Sequence, residues 1–481
     1  MAILFIVVLV ISSTLLLLHK TFYSSKSKTH VQYHLPPGPR ALPIIGHMHL
    51  IGSIPHKSFR DLCHRYGPLI YLRLGSVPCV VASSPELAKE IVGHNELYFA
   101  SRSVTIASHH ITYDSSGFAF VPYTPFWKFA KKTVMSQLLG GRTLSQLQPI
   151  RADELRLLVQ LLLEKAKARR LYSGKDDQAR VARDLARENI DVQGLLKRSK
   201  VTRSKFDVLL ETILKERQEL RKKKETSDQD SIDDGVKDFI DILLDIQEDD
   251  SQEIKLTRNN IKAIALDLFM AGTDTSTSAS EWALAELYNH PAIFNKARKE
   301  IDSVVGKTRL IQESDVPNLP YLQAIMKETL RLHPPIPFLA RESTEDRNIS
   351  GYDIPARTAV FINVWSINRD PKYWADPLEF KPERFLVNEV VSDRSDGAVK
   401  SVLDVRGQHF NLLPFGTGRR GCPGIWLALQ EVSAVVGAMI QCFDWEMKDK
   451  AELDMSERPG LTVPRAVPLM LLPVTRLNPF G

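Results

Sequence analysis

The chain has 481 residues, with 63 Lys and Arg against 57 Asp and Glu, a formal net charge of +6, 43% hydrophobic and 25% charged residues. That composition excludes a disordered or collagen-like chain and is long enough to bury a large core. Nothing in it resembles a nucleic-acid module, and four cysteines, at positions 63, 79, 422 and 442, make too sparse a disulfide framework for this length, which fits a reducing compartment.

Residues 2–20 read as a membrane anchor: the run from Ala2 to Leu18 is apolar except for Ser12, Ser13 and Thr14, near the lower length limit for spanning a bilayer. A cleaved signal carries its positive charge before the apolar run, whereas Lys20, Lys26 and Lys28 follow it here, an order that keeps the next domain cytosolic. Residues 21–40 are basic and then proline-rich, Leu35-Pro36-Pro37-Gly38-Pro39-Arg40, a stiff extended hinge. Residues 41–481 form the remaining domain. From Ile44 to Ala82 a helical stretch is mixed with strand-like runs, Leu69 to Leu74 and Pro78 to Ala82, which predict a small sheet. Trp127 and Lys131 lie four apart, on one face of a short helix. From Leu138 to Val304 the composition is helical almost throughout, so the class predicted is mainly α with small β-sheets. Within that stretch, Ala166 to Lys200 is rich in Arg, Lys and Asp with few long apolar runs, and Arg221 to Asp234 reads as a solvated loop or helix end.

Ala271-Gly272-Thr273-Asp274-Thr275-Ser276 interrupts a helical stretch running from about Leu256 to Tyr288. A Thr hydroxyl there can bond the carbonyl four residues back, and the groove this opens can hold a water beside a ligand. Glu328-Thr329-Leu330-Arg331 places opposite charges three apart on a helix face; alone this is a weak signal, usually a solvated ion pair. Pro382-Glu383-Arg384-Phe385 follows about fifty residues on. In Phe415-Gly416-Thr417-Gly418-Arg419-Arg420-Gly421-Cys422-Pro423-Gly424, the glycines permit a tight turn that brings backbone N–H groups near the Cys422 sulfur. The apolar run from Ile425 to Ile440 then reads as a helix.

The decamer at 415–424 matches F-x-x-G-x-R-x-C-x-G, and the order of the three motifs resembles that of the cytochrome P-450 superfamily. The resemblance implies a haem b held by the Cys422 thiolate, packed by Phe415, with its propionates met by Arg420, Arg341, Trp127 and Lys131; Lys131 stands where the family pattern W-x-x-x-R has Arg, so its contact lacks the guanidinium fork. It implies a buried triad of Glu328, Arg331 and Arg384. It also implies that Thr275 hydrogen-bonds dioxygen while Asp274 relays protons, with electrons from NADPH through a reductase; of the local basic groups, Lys131, Lys132, Arg419 and Arg420 suit docking of an acidic flavoprotein where they face outward, solvated surface charge being the commoner reading. An endoplasmic-reticulum anchor with the catalytic domain in the cytosol belongs to the same expectation.

Residues 111–116, 406–414 and 457–466 are similar to the plant P-450 group of flavone synthase II, flavanone 2-hydroxylase and isoflavone synthase, whose relatives also hydroxylate pterocarpans and triterpenes. That likeness implies substrate-facing positions in the loop Ser103 to Tyr113, at Phe269 and Met270, at Ile336, Phe338 and Leu339, and at Leu461 to Val463 with Thr462 among them. Their apolar and aromatic character suits a flat phenolic substrate and equally suits a plain core. Ala340 stands where isoflavone-forming members usually carry Lys, which argues for hydrogen abstraction at flavanone C2 without aryl migration. The segment between the Trp127 helix and Ala271 is short for the family, with 166–200 the departing stretch; either a helix of the substrate roof is lost or the gene model is at fault, and an inactive relative is the corresponding alternative.

Overall fold

Pro55 opens helix α1 (Pro55–Tyr66), where a proline in the first turn forfeits no helical hydrogen bond. Gly67, at φ 114°, turns the chain into the hairpin β1 (Leu69–Leu74) and β2 (Val77–Ala82), paired antiparallel with Leu69 opposite Ala82. The computed structural model describes residues 12–13, 33–168, 172–173, 195–226, 237–386, 403–447 and 452–480. The expected anchor, apart from Ser12 and Ser13, and most of the stretch 166–200 lie outside the described residues. The described part of the hinge packs on the sheet: Pro37 O accepts from Tyr71 N at 2.9 Å.

After α2 (Ile106–Ile111) and α3 (Pro125–Thr133), the chain is carried by long helices: α4 (Gln148–Lys167), α5 (Leu195–Thr226), α6 (Phe239–Glu248), α7 (Arg258–Asn289), α8 (Pro291–Val304) and α9 (Pro320–Leu332). Two capping boxes set boundaries here, Asp238 with Asp241 for α6 and Thr257 with Asn260 for α7. Arg221, read from sequence in a solvated loop or helix end, lies inside α5 and pairs with Asp245 and Glu248, tying α5 to α6. Strands β3 (Phe338–Glu342) and β4 (Ala359–Asn363) complete a sheet of order β1-β2-β4-β3, with β4 parallel to β2 and antiparallel to β3. Last come α10 (Ile425–Cys442), β5 (Phe443–Glu446) and β6 (Met470–Thr475), the strands pairing antiparallel.

The main core lies where α4, α7, α8, α9 and α10 meet, around Leu162, Ala283, Ile301, Ile325 and Ile440. Among the described residues α10 is the one helix long and apolar enough to cross a membrane by length and composition, yet 56% of it is buried inside the protein, as suits a core helix. Cys63, Cys79 and Cys442 are buried.

A buried acid ties the C-terminal segment to the sheet region. Glu457 accepts from Trp365 Nε1 at 2.7 Å and lies 3.1 Å from His56 Nε2 and 2.9 Å from Lys57 Nζ. Burial by itself would raise its carboxyl; His56, Lys57, Arg369 and Trp365 outweigh that and hold it well below the usual carboxylate range. A depressed acid contributes stability above its unfolded pKa and loses it as pH falls toward the folded one. Glu457→Gln is therefore expected to cost about 2 kcal/mol near neutral pH, with the gap to wild type narrowing below about pH 4. Unfolding midpoints across pH check this; a gap constant with pH would refute it.

Candidate active site

The Phe415–Gly424 loop is drawn tight by two backbone bonds, Cys422 N to Phe415 O and Gly421 N to Gly418 O, both 2.9 Å. Gly416 and Gly418 take φ 67° and 66°, where a side chain would be strained, so the glycines serve the turn the sequence suggested. Cys422 opens onto a cavity of about 1480 Å³ that runs from this loop to α7. Burial pushes its thiol up, while the Gly424 N–H and the Lys131 ammonium favour the thiolate.

Above the loop, α7 runs unbroken from Arg258 to Asn289. The interruption expected at 271–276 is absent, but the side-chain bonds to carbonyls four residues back are present: Thr275 Oγ1 to Ala271 O, Thr277 Oγ1 to Thr273 O at 2.7 Å and Ser280 Oγ to Ser276 O at 2.9 Å. A Cβ at Gly272 would meet nothing within 4 Å, so glycine leaves space on this wall. Asp274 and Thr275 line the cavity, and Asp274 Oδ2 accepts from Thr462 Oγ1 at 2.5 Å.

On one side the cavity meets four cations, Arg102, Lys131, Arg341 and Arg420. Arg420 donates Nε to Ala100 O and Nη2 to Val121 O, both 2.7 Å, and its guanidinium lies 4.2 Å from the Trp127 ring centroid. Trp127 Nε1 is spent on Phe118 O at 3.0 Å, and Lys131 Nζ donates to Gly421 O at 2.6 Å. Arg341, 4% exposed, donates to its neighbour's Ala340 O at 2.9 Å, and the buried Arg102 Nε has no partner. Burial lowers Lys131 to about 8 and Arg420 to about 9 and depresses Arg102 and Arg341 as well, with like-charge repulsion adding to burial at Lys131, Arg341 and Arg420. Buried positive charge of this density calls for an anionic ligand. Small-molecule pockets usually span about 300 to 1000 Å³, so the cavity has room for a large prosthetic group and a substrate together. A cysteine on one wall, a cluster of cations with an orphaned donor at the edge, and that volume fit a haem with two propionates.

Away from the cavity, Glu328 and Arg331 are wholly buried and paired in two parallel bonds of 2.7 and 2.8 Å, with Arg384 Nε 3.0 Å from Glu328 Oε1. The three residues expected as a triad therefore meet.

Met270, Ile336, Phe338, Leu339, Leu461 and Thr462 line the cavity, as does Phe415. Phe269 does not; one residue along a helix turns a side chain by about 100°, and Phe269 is 43% exposed. Nor do Ser103 to Tyr113 line it: Tyr113 is buried against Phe206 and Leu210 of α5 and Ala263 and Leu266 of α7, and the same chain segment reaches the cavity later, through Phe118, Ala119 and Phe120. Ala340 is exposed and outside the lining. Arg102 was missed from sequence, where a single Arg between serines carries no pattern; its role emerges only from the cations gathered around it. On the outer side of the Cys422 loop, Lys128, Lys132, Arg406 and Arg419 rim a depression of about 450 Å³.

The Cytochrome P450 family profile matches residues 36–192 and 189–472, the two matches meeting within the stretch that departs from the pattern. Cytochrome P450 93B2 of Gerbera hybrida is 48% identical over 92% of this chain and 92% of its own. The 3,9-dihydroxypterocarpan 6A-monooxygenase of Glycine max is 45% identical over 93% of this chain and 94% of its own, and the 2-hydroxyisoflavanone synthase of Glycyrrhiza echinata 40% identical over 94% of each. Cytochrome P450 93B16 of Glycine max aligns over 526 positions, more than this chain's 481 residues, so it carries residues without a counterpart here. Among solved structures, a zebrafish cytochrome P450 with abiraterone superposes with a TM-score of 0.69 at 26% identity, covering 88% of this chain and 100% of that one. The fold, the buried cations around an accessible cysteine and these likenesses converge: this chain belongs to the plant cytochromes P450, haem-thiolate monooxygenases that draw electrons from NADPH through a reductase.

Proposed function

We propose that this monooxygenase hydroxylates a plant phenolic, a flavanone at C2, giving a 2-hydroxyflavanone or, after loss of water, a flavone. The observation that carries the reading is that one largely apolar cavity holds Cys422 on one wall and the Asp274–Thr275 pair on another. The choice of flavanone rests on the sequence likeness at 111–116, 406–414 and 457–466 and on Ala340; the pterocarpan relative at 45% identity and the beta-amyrin 24-hydroxylase of Glycine max at 42% keep pterocarpan or triterpene hydroxylation as the second reading.

Haem bound at Cys422 supplies the activation of dioxygen. The chain's own groups then divide the work. The Gly424 N–H and Lys131 steady the Cys422 thiolate, while Arg102, Arg341 and Arg420 neutralise the propionates. Phe118, Phe120, Met270, Ile336 and Leu339 exclude water and press a flat substrate against the open side of α7. Thr275 Oγ1 offers a hydroxyl at the cavity wall, and Asp274, on the same wall and hydrogen-bonded to Thr462, is the acid that relays protons into the cavity. The basic rim of Lys128, Lys132, Arg406 and Arg419 suits an acidic reductase surface, and residues 2–20 hold the enzyme to the endoplasmic-reticulum membrane with the cavity on the cytosolic side.

Thr275→Ala and Asp274→Asn are each expected to lower product formation about 100-fold with substrate affinity little changed, NADPH oxidation then yielding peroxide, and Thr275→Ser should recover much of the loss. Measuring NADPH consumed, peroxide and product with reductase present checks this. Unchanged coupling would remove both residues from proton delivery, and turnover of a pterocarpan or triterpene but of no flavanone would move the substrate assignment.

A further inference from the structure

Asp267, on α7 two turns before Asp274, belongs to none of the motifs read from the sequence, yet it is 4% exposed and its Oδ2 accepts from two consecutive amides of the loop before α3, Phe118 N at 2.7 Å and Ala119 N at 2.9 Å. Seven residues earlier on α7, Asn260 Nδ2 donates to Ser116 O at 3.0 Å, so the loop is fastened along one face of the helix. Gly117 lies directly over the carboxylate: a Cβ there would overlap Oδ2. The carbonyls of the same loop point the other way and are taken by the donors on the propionate side. Phe118 O accepts from Trp127 Nε1 at 3.0 Å and Arg420 Nη1 at 3.4 Å, Ala119 O from Arg102 Nη1, and Val121 O from Arg420 Nη2 at 2.7 Å. Phe118, Ala119 and Phe120 meanwhile form cavity wall.

We propose that Asp267 is a positioning residue that latches the Gly117–Val121 segment to α7 and thereby sets both the donors facing the haem propionates and the aromatic wall of the substrate cavity. It rests on the haem reading of the site, and it goes further by naming the acid that orients the site from behind. A single carboxylate oxygen shared by adjacent amides is a rigid fastening: it fixes the 117–118 and 118–119 peptide planes, and with the second the direction in which the Phe118 carbonyl meets Trp127 Nε1 and Arg420 Nη1, while the Ala119 and Val121 carbonyls follow in the next peptides of the same short segment. Loss of the carboxylate leaves two buried N–H groups unpaired, so the loop opens locally while the core built on α9 and α10 stays closed.

The test is amide hydrogen exchange on the full-length holoenzyme in lipid vesicles, with substrate titration by the haem spectrum as second readout. Asp267→Ala should speed exchange across 117–121 at least tenfold without changing α9 or α10, and weaken flavanone affinity by a similar factor, while Asp267→Asn, which keeps an acceptor, should recover part of both. Gly117→Ala, which leaves the acid in place and pushes the loop off it, should reproduce the local increase if Asp267→Ala fails to accumulate. Exchange across 117–121 that stays at the wild-type rate in both Asp267→Ala and Gly117→Ala, or that rises equally throughout the protein, overturns the latch. Exchange reads the loop whether or not haem is bound, so a wild type without the thiolate spectrum would sink the haem reading while leaving the latch separately decided.

Discussion

Cys422→Ser is expected to abolish the red-shifted Soret band of the reduced, carbon-monoxide-treated protein and to lower NADPH-dependent turnover at least about 1000-fold, a barrier increase of about 4 kcal/mol. The argument is one of charge and basicity. A serine hydroxyl occupies the same turn, between the Phe415 carbonyl that fixes the backbone at 422 and the Gly424 N–H, but it stays protonated at neutral pH and gives the iron no strong anionic ligand. The other cysteines supply the control. Burial pushes Cys63 up to about 11 and Cys442 up to about 12, and raises Cys79 still more. These three lie in α1, at the end of α10 and in β2, none of them among the cavity-lining residues. Their serine variants should keep the band wherever they fold. A Cys422→Ser protein that retained it would transfer the ligand elsewhere and remove the basis for every role assigned around the cavity.

The site's chemistry was legible because it is written in contiguous residues. A turn that must bring backbone toward a sulfur needs glycines at fixed offsets around one cysteine, and an ion pair on a helix needs its charges three apart, so both leave a local pattern. Residues that act through long-range approach leave none: Arg102 and Asp267 lie 165 positions apart by their numbers and belong to one site only because α7 crosses the loop before α3. The same reasoning explains the errors. The likeness to the plant group marked Phe269 and Met270 together, though neighbours on a helix face different ways and only Met270 lines the cavity, and helix propensity called for a break at Gly272 to Thr275 that the packing of a 32-residue helix overrides. The small sheet was readable at β1 and β2, short apolar runs of strand length; its parallel neighbour β4 pairs across a long excursion that no local signal encodes.

Glu328→Gln should cost about 3 to 5 kcal/mol, which is large against the total of about 5 to 15 kcal/mol that holds a domain folded. Glu328 Oε1 accepts from Arg331 Nη2 at 2.8 Å, Arg384 Nε at 3.0 Å and Lys381 N at 2.9 Å, so one oxygen joins α9 to the segment behind the haem side of the core. Arg331 spends its remaining donors on Asn368 O and Pro377 O, both 2.8 Å, and on Glu379 O at 3.2 Å. The amide variant leaves that guanidinium wholly buried with no counter-charge, whereas Arg384, with 12% of its side chain exposed, can draw on water once the acid is gone. The expected order of damage is therefore Glu328→Gln above Arg384→Ala, with the double variant Glu328→Gln/Arg384→Ala less destabilised than the sum of the two, because both remove one shared contact. The quantity to compare is the rate at which the Soret band decays on heating, which stays defined whether or not unfolding is reversible. Equal decay rates for Glu328→Gln and Arg384→Ala would mean that the buried pair on α9 does not depend on its acid, and that the segment at 368–384 is held by its backbone bonds instead.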